Sequence, residues 1–214
     1  MKYYPLAVDL RGRTCVVVGT GTVAERKVGQ LLEVGARVRM IGPQVSPALE
    51  ELARAGRIEL ERREYRPGDL AGARLAIAAT DSPAVNAAIY AEAEERNALC
   101  NAVDDLASCS FIAPSVLRRG DFTVAVCSGG AAPALAARVR QRLEAEIGPE
   151  YGDAVAVLAE LRKEIAGRCA DPVERRAFWY RVIDQAVLAP GLPGDADAVR
   201  ARVRGMLGDE TVPR

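Results

Sequence analysis

Short runs of β-branched and apolar residues recur through the first half of the chain, with amphipathic stretches between them. The run at 14–18 stops at a glycine, which is typical of a strand buried on both faces of a parallel sheet. Similar runs follow at 37–41, 58–60, 75–79 and 99–103. The pattern therefore predicts five strands in this half of the chain.

Helices are predicted in the gaps between these runs. Apolar residues between 24 and 32 recur on one helical face, and the glycine at 35 stands where a C-terminal cap belongs. Ser-Pro pairs at 46–47 and 82–83 combine an N-cap with a proline at the first helical position, and the second of these helices is expected to run to 96. The order β-α-β-α-β-β-α-β predicts an α/β fold with a Rossmann-type, doubly wound, mostly parallel sheet.

The pattern changes near residue 113. Residues 111–114 and 122–126 are expected to be extended, 133–147 is a strong predicted helix, and the chain is helical and charged from 151 onward. We therefore divide the chain into a Rossmann domain at 1–113, a linking segment at 114–147 and a small all-helical C-terminal domain at 148–214.

Charge and composition exclude several classes of function. The 29 Lys and Arg residues balance 29 Asp and Glu residues, so the basic excess of a nucleic-acid binder is missing and no nucleic-acid partner is expected. No apolar run is long enough to cross a bilayer and the N-terminus lacks the core of a signal peptide, so we expect no membrane partner and a cytoplasmic location. The five cysteines form no C-x-x-C pair and fit free thiols, and no metal site is expected.

A glycine-rich segment with the pattern G-x-G-x-x-A follows the first predicted strand and opens the first predicted helix, which is the context of a dinucleotide-binding fingerprint. Its first glycine permits a tight turn, its second lets the backbone approach a pyrophosphate, and its alanine lets the helix pack closely. A glycine turn that binds no nucleotide is the alternative, and the matching strand, helix and second strand make it less favoured. The segment is Gly19-Thr20-Gly21-Thr22-Val23-Ala24.

The end of the second strand bears on the choice of cofactor. Rossmann domains that prefer NAD often carry an acid there to hold the ribose hydroxyls. This chain has Gly42-Pro43-Gln44, with no acid and no arginine directly after it, and Gln44 is able to hydrogen-bond a ribose. These residues alone leave NAD against NADP open.

Further motifs, spread over almost the whole chain, resemble the precorrin-2 dehydrogenase family, the N-terminal module of siroheme synthase that also occurs free-standing. Ordinary Rossmann enzymes do not carry the later ones, so the set is specific. The motifs are Tyr4-Pro5-Leu6, Leu10-Arg11-Gly12-Arg13, Gly21-Thr22-Val23-Ala24-Glu25-Arg26-Lys27, Ala78-Ala79-Thr80-Asp81 with Asn86, Cys100-Asn101-Ala102-Val103-Asp104, Ser110-Phe111-Ile112-Ala113-Pro114-Ser115, Val126-Cys127-Ser128-Gly129-Gly130, Pro133-Ala134-Leu135-Ala136 with Arg138, and Glu174-Arg175-Arg176-Ala177-Phe178-Trp179.

The resemblance implies NAD-dependent oxidation of precorrin-2 to sirohydrochlorin, followed in some members by insertion of ferrous iron as a substrate to give siroheme. It also implies a homodimer that exchanges a middle segment, so the linking segment 114–147 is expected to serve dimerisation. Because the chain ends at Arg214, without the downstream methyltransferase domain of siroheme synthase, we expect it to act after a separate methyltransferase.

Asp104 is the predicted catalytic residue. It follows the fifth predicted strand at its carboxyl end, where doubly wound folds place their ligands, and the chain has no histidine to act as a base. The alternative is a turn aspartate that caps Leu106 or Ala107 with the help of Asp105. The two interpretations are about even on the residues alone, and the resemblance favours catalysis because the family's aspartate stands at this position.

The remaining candidates each carry a structural alternative. Ser128 and Gly129 are predicted to bind substrate, or else to form a turn at the start of a helix, while Cys127 is expected to be buried rather than to bind metal. Asn101 is predicted to contact the nicotinamide amide, or else the local backbone. The pair Thr80-Asp81 is predicted to line the cofactor cleft, or else only to lead into the next helix.

Two classes of function are thus carried forward. The first is the NAD-dependent dehydrogenase, with or without iron insertion. The second is a dinucleotide-sensing regulator without catalysis, which typically carries a DNA-binding or gating module. Asp104 separates them, because a sensor needs no catalytic carboxylate.

Overall fold

The computed structural model describes residues 3–168, 171–188 and 196–209. The chain forms two compact units, Met1–Ala113 and Pro114–Arg214. Of the five cysteines, the four within the described residues are free thiols, and Cys169 lies outside them. No helix in the described part of the chain is both long and apolar enough to cross a membrane.

The first unit is a five-stranded parallel sheet with the strand order β3-β2-β1-β4-β5. This arrangement is the predicted doubly wound α/β fold. Its elements are β1 (Thr14–Val18), α1 (Thr22–Glu33), β2 (Arg37–Ile41), α2 (Pro47–Arg54), β3 (Ile58–Glu61), β4 (Leu75–Ala78), α3 (Pro83–Glu95), β5 (Leu99–Ala102) and a short 3-10 helix (Leu106–Ser108).

Both faces of this sheet are covered, which explains the unbroken apolar runs of its strands. Along β1, Cys15 and Val17 pack in a cluster with the buried face of α1 and with Leu49 of α2. Val16 and Val18 point the other way and pack with Ile89 and other residues of α3. Strand alternation thus places α1 and α2 on one face and α3 on the other.

Local capping fixes where the helices begin and end. The Ser46 and Ser82 hydroxyls accept hydrogen bonds from backbone N–H groups of α2 and α3, as predicted for the two Ser-Pro pairs. Helix α1 ends in a Schellman motif at Gly35, whose φ is +73°: the Gly35 N–H donates to Leu32 and the Ala36 N–H donates to Leu31.

The second unit opens with an antiparallel hairpin and continues as helices. The elements are β6 (Ser115–Arg119), β7 (Phe122–Val126), α4 (Pro133–Glu146), α5 (Glu150–Arg168), α6 (Pro172–Val182), a π-helical turn (Ile183–Val187) and α7 (Ala196–Asp209). The strand before β7 therefore starts at Ser115, and the predicted extended segment 111–114 forms no strand. Pro114 has no N–H to donate to a ladder.

A separate apolar core holds the helices of the second unit together. Ala154, Val157, Leu161 and Ile165 form one buried stripe along α5, spaced three or four residues apart. Their cluster includes Phe178 of α6 and further residues of α7. The predicted helical character of this region is confirmed for its described residues.

Candidate functional site

The glycine-rich loop packs against the end of β4. Gly19 has φ +113°, and a Cβ atom at this position would overlap the Ala79 carbonyl oxygen and lie 2.6 Å from its carbonyl carbon. Glycine is required here for two reasons: residues with a side chain rarely adopt this backbone conformation, and the Ala79 carbonyl leaves no space for a Cβ atom. Gly19 therefore sets the tight turn that the motif predicted.

The residues that follow β2 pack against the same glycine-rich loop. Gly42 is buried, and a Cβ atom there would overlap Cγ2 of Thr20. The Gly42 N–H donates to the Glu61 carbonyl oxygen at 3.0 Å, which ties this turn to the end of β3. Pro43 and Gln44 follow it and are exposed. Gln44 is thus available beside the glycine loop, and no acid stands there.

The N-terminus of α1 is open. Gly21 is its N-cap and has no side chain to cap it, and a Cβ atom added there would meet nothing within 4 Å. Within the described residues, the N–H groups of Thr22, Val23 and Ala24 have no protein acceptor, whereas α2 and α3 are both capped by serine. Free N–H groups, the positive end of the helix dipole and open space fit a pyrophosphate.

The loop after β4 is held by a pair of side chains. The Thr80 hydroxyl donates to Oδ1 of Asn86 at 2.8 Å, and Nδ2 of Asn86 donates back to the Thr80 carbonyl oxygen at 3.0 Å. Asn86 is buried, and Asp81 is exposed on the loop between them. Thr80 thus shapes the cleft beside the glycine loop. Asn86 was missed as a site-shaping residue, although it stood among the family motifs.

The side-chain amide of Asn101 forms hydrogen bonds with nearby residues of the chain. Its Nδ2 donates to the Phe111 carbonyl oxygen at 3.1 Å and lies 3.4 Å from the Cys109 sulfur. These contacts support the alternative in which it satisfies nearby backbone. Its contact with the nicotinamide stays a prediction.

Asp104 and Asp105 differ sharply in their surroundings. Asp104 has φ +62°, which is the left-handed region, and its exposed carboxylate has no partner among the described residues. Asp105 accepts a hydrogen bond from the Ala107 N–H at 3.0 Å and caps the 3-10 helix. The Ser108 hydroxyl and the Ala107 N–H hold the pKa of Asp105 below its usual value. The capping role therefore belongs to Asp105, and Asp104 is left with an unused carboxylate in a costly conformation.

Lys27 is a half-buried cation that sequence reasoning did not single out. It lies one turn into α1. Burial lowers its pKa, and the charge of Arg26 lowers it further, whereas the nearby Cys109 raises it by a smaller amount. Cys109 follows the 3-10 helix after Asp104, and its own pKa is raised, chiefly by burial. The signal was available in the motif that ends Glu25-Arg26-Lys27. Lys27 thus adds a cation near the segment that carries Asp104.

Ser128 and Gly129 lie in the second unit, before α4. The Ser128 hydroxyl accepts a hydrogen bond from the Ala132 N–H at 3.0 Å, so it serves the start of the helix. Gly129 is exposed. Cys127 is exposed too, so the expectation that it is buried is wrong. Strand β7 ends at Val126, so Cys127 lies just beyond the residues that pair with β6.

The described residues include no group of three or more His, Cys, Asp or Glu side chains placed to hold a metal ion. The polar side chains at the carboxyl edge of the sheet are instead dispersed over the ends of β2, β4 and β5. Because the strand order reverses between β1 and β4, this edge is the crevice where doubly wound folds bind dinucleotides.

Three family profiles match consecutive parts of the chain. Residues 6–115 match the family described as "Putative NAD(P)-binding", 119–146 the "Sirohaem biosynthesis protein central" family, and 150–207 the "Sirohaem synthase dimerisation region". The chain belongs to the family described as "Putative NAD(P)-binding", whose match covers just over half of it. The resemblance inferred from its motifs is confirmed, and the first unit is a NAD(P)-binding domain.

Curated relatives of the chain are siroheme synthases. The chain is 38% identical over 203 residues to the siroheme synthase of Chromobacterium violaceum, which covers 95% of this chain and 43% of that protein. It is 42% identical over 179 residues to siroheme synthase 1 of Yersinia enterocolitica, covering 84% of this chain and 38% of that protein. The chain thus spans less than half the length of these relatives.

A solved structure shares the fold class of this chain. SirC, a precorrin-2 dehydrogenase, superposes with a TM-score of 0.75 at 24% identity and covers 96% of this chain and 100% of its own. The predicted fold class is therefore confirmed. Among the family descriptions, the word dimerisation belongs to residues 150–207, and the predicted dimerisation role of 114–147 stays a prediction.

Proposed function

We propose that this protein oxidises precorrin-2 to sirohydrochlorin with NAD as the hydride acceptor. The matches to an NAD(P)-binding family and to a siroheme biosynthesis family, together with the fold shared with a precorrin-2 dehydrogenase, support this reaction. The observation that carries it is Asp104, whose exposed carboxylate has no partner among the described residues and whose backbone is held in a left-handed conformation just beyond β5. Backbone conformations of this kind cluster at functional sites.

The geometry of the sheet supports a single crevice for both ligands. Asp104 follows β5, which lies two strands from β1 and its glycine loop, or roughly 10 Å at the usual strand spacing. A dinucleotide with its pyrophosphate on α1 extends to both sides of the switch point. Gln44 would then face the adenosine ribose, and Asp104 would face the reacting ring.

Asp104 would act as the base in the oxidation. Loss of two hydrogens from precorrin-2 is balanced when a hydride leaves one carbon with its electron pair and a proton leaves another position of the macrocycle, because the electron pair that the proton leaves behind forms the new double bond in the macrocycle. Bound NAD supplies the hydride acceptor. The Asp104 carboxylate receives the proton and passes it to water, which it reaches because it is exposed.

The decisive experiment compares Asp104→Asn with Asp105→Asn in a precorrin-2 assay with NAD, followed by the sirohydrochlorin spectrum. Asparagine keeps the size of the side chain and tolerates the left-handed conformation, so Asp104→Asn should fold normally and lose about 100-fold or more in kcat. Asp105→Asn keeps an oxygen for the cap and should retain activity. Full activity in Asp104→Asn would refute the assignment, and no conversion by folded wild-type protein that binds NAD would refute the reaction.

Iron insertion is a further prediction that rests on the resemblance alone. Chelation removes two pyrrole N–H protons, and Asp104 is again the base to test, so the same two variants should be assayed with sirohydrochlorin and ferrous iron.

A homodimer is proposed from the match to a dimerisation region, and a cytoplasmic location from the buried free thiols of Cys15 and Cys100. The regulator without catalysis is not favoured, because it leaves the strained Asp104 without a purpose.

A further inference from the structure

A second concave site lies at the opposite, amino-terminal edge of the sheet. It is a cavity of about 470 Å³ in the first unit, which is within the usual range for small-molecule pockets. Half of its lining residues are arginines, and glycines and a threonine provide most of the rest. We call it the arginine pocket, and its lining residues are Gly12, Arg13, Thr14, Arg37, Gly72, Ala73, Arg74 and Arg96.

The register of the sheet brings these arginines together. Arg13 directly precedes β1, Arg37 begins β2 and Arg74 directly precedes β4, and β1 pairs with both neighbours. The Arg37 N–H donates to the Arg13 carbonyl oxygen at 2.9 Å, and the Arg74 N–H donates to the Thr14 carbonyl oxygen at 2.8 Å. Three adjacent strands of the sheet, each about 5 Å from the next, thus have an arginine at or directly before their first residue at one edge.

The positive charge of the pocket is largely uncompensated. Within the described residues, Arg13, Arg37 and Arg74 form no ion pair, and Arg37 only donates to the Thr14 hydroxyl at 3.4 Å. Asp9 is close enough for Arg13 to lower its pKa, but its carboxylate is already held by Arg11 at 2.7 Å. Arg96 alone is paired, with Glu92.

The guanidinium groups of the pocket repel one another, which lowers the stability of the folded protein, and nearby helix ends offset part of this effect. The C-terminus of α1 lies beside it, since the Gly12 N–H donates to the Gly35 carbonyl oxygen at 2.8 Å, and Arg96 caps the end of α3. The negative ends of these helix dipoles offset part of the repulsion between the arginines but also oppose a bound anion, so anion binding depends on the guanidinium groups. Exposed arginines around a concave surface, three of them without an ion pair among the described residues, are suited to binding an anion.

We propose that the arginine pocket binds a small anion with two or more closely spaced oxyanion groups, either phosphates or carboxylates. Guanidinium forks bind both groups through paired hydrogen bonds. The pocket and the glycine loop stand at opposite ends of β1, roughly 15 Å apart for a strand of this length. The pocket is therefore a separate site, and this inference does not rest on the proposed reaction.

Calorimetric titration with pyrophosphate and, separately, with citrate at low ionic strength tests the proposal on the full chain. Arg13→Gln and Arg74→Gln should each weaken binding about tenfold or more, because each removes a charge-assisted contact. Arg57→Gln is the matched control, since Arg57 is exposed and directly precedes β3 at the same edge but does not line the pocket. Tighter binding of pyrophosphate identifies a phosphate ligand, and tighter binding of citrate a carboxylate ligand.

A second readout locates the anion. Phenylglyoxal modifies exposed arginines, and peptide mass spectrometry should show Arg13, Arg37 and Arg74 protected by the bound anion while Arg57 is modified as before. Relief of repulsion should also leave the Arg13→Gln and Arg74→Gln proteins at least as stable to heat as the wild type. The proposal is overturned if neither anion binds, or if both variants bind as tightly as the wild type.

Discussion

At the residue scale, the two glycines of the loop have different physical reasons to be glycine. Gly19 is required by the fold, because its φ of +113° and the Ala79 carbonyl leave no room for a side chain. Gly21 has an ordinary extended backbone, with φ −71° and ψ 177°, and open space around it. Its lack of a side chain matters to a ligand and not to the folded protein.

This difference predicts opposite outcomes for two alanine variants. Gly19→Ala should lower the free energy of unfolding by about 2–4 kcal/mol through overlap and backbone strain. Gly21→Ala should change stability by less than about 1 kcal/mol, yet weaken NAD binding because the methyl group occupies the space of the pyrophosphate. Urea unfolding and NAD titration measure the two effects. Unimpaired NAD binding by a folded Gly21→Ala protein would contradict this assignment of the cofactor seat.

Asp104 shows where sequence reasoning at this scale stops. Two adjacent aspartates allow either one to cap the turn, and the motif pattern alone left the roles about even. The backbone decides it, because Asp105 is extended and caps Ala107, whereas Asp104 has φ +62° and no partner in the described structure. A dihedral angle set by the surrounding chain cannot be read from residue types.

At the element scale, the strands and helices of the first unit were predictable because their signals are local. Buried β-branched runs, two Ser-Pro caps and the Gly35 stop placed β1, β2 and α1–α3 to within a residue or two. The arginine pocket was not predictable in this way. Arg13, Arg37 and Arg74 become neighbours only through the order in which the strands pair. The same holds for the bond between Thr80 and Asn86, which depends on how the loop folds back.

Another such contact is a buried carboxylate that pins the loop before β4 to α3. Glu92 is 8% exposed and accepts hydrogen bonds from the Tyr65 hydroxyl, from the Gly68 and Leu70 N–H groups and from Arg96. Burial raises its pKa, but these hydrogen bonds outweigh burial and the net pKa lies below the usual value. Glu92 therefore stabilises the fold in its ionised form.

The sign of this shift fixes the pH dependence. A lowered pKa in the folded state gives stability that is present above the unfolded value, about 4.3, and lost as the pH falls through the folded value. Glu92→Gln should cost about 2–3 kcal/mol at pH 7, because it leaves buried N–H groups facing an amide, and the difference from wild type should shrink below about pH 4. Urea unfolding across pH measures it. Glu95→Gln, on the exposed side of the same helix, is the control and should be neutral at every pH. A constant difference across pH would contradict the prediction.

At the scale of the whole molecule, the chain contains two units with separate cores. Among the described residues, the buried clusters of the sheet consist of residues of the first unit, and the helical cluster consists of residues of the second. The NAD(P)-binding match and the dimerisation-region match divide along the same lines. Cofactor binding and subunit association are thus expected to stabilise different parts of the chain.

Hydrogen exchange on the full chain with and without NAD tests this division. At NAD concentrations of about 100 times its Kd, the first unit should gain about 2.7 kcal/mol, so that amides exchanging through its global opening slow about 100-fold. Val17 in β1 and Ile77 in β4, both buried, should report this change. Leu161 and Ile165, buried in α5, belong to the other core and should change little. Equal slowing of both sets would show that the units open together, whereas no slowing in β1 and β4 would show that NAD does not bind the first unit.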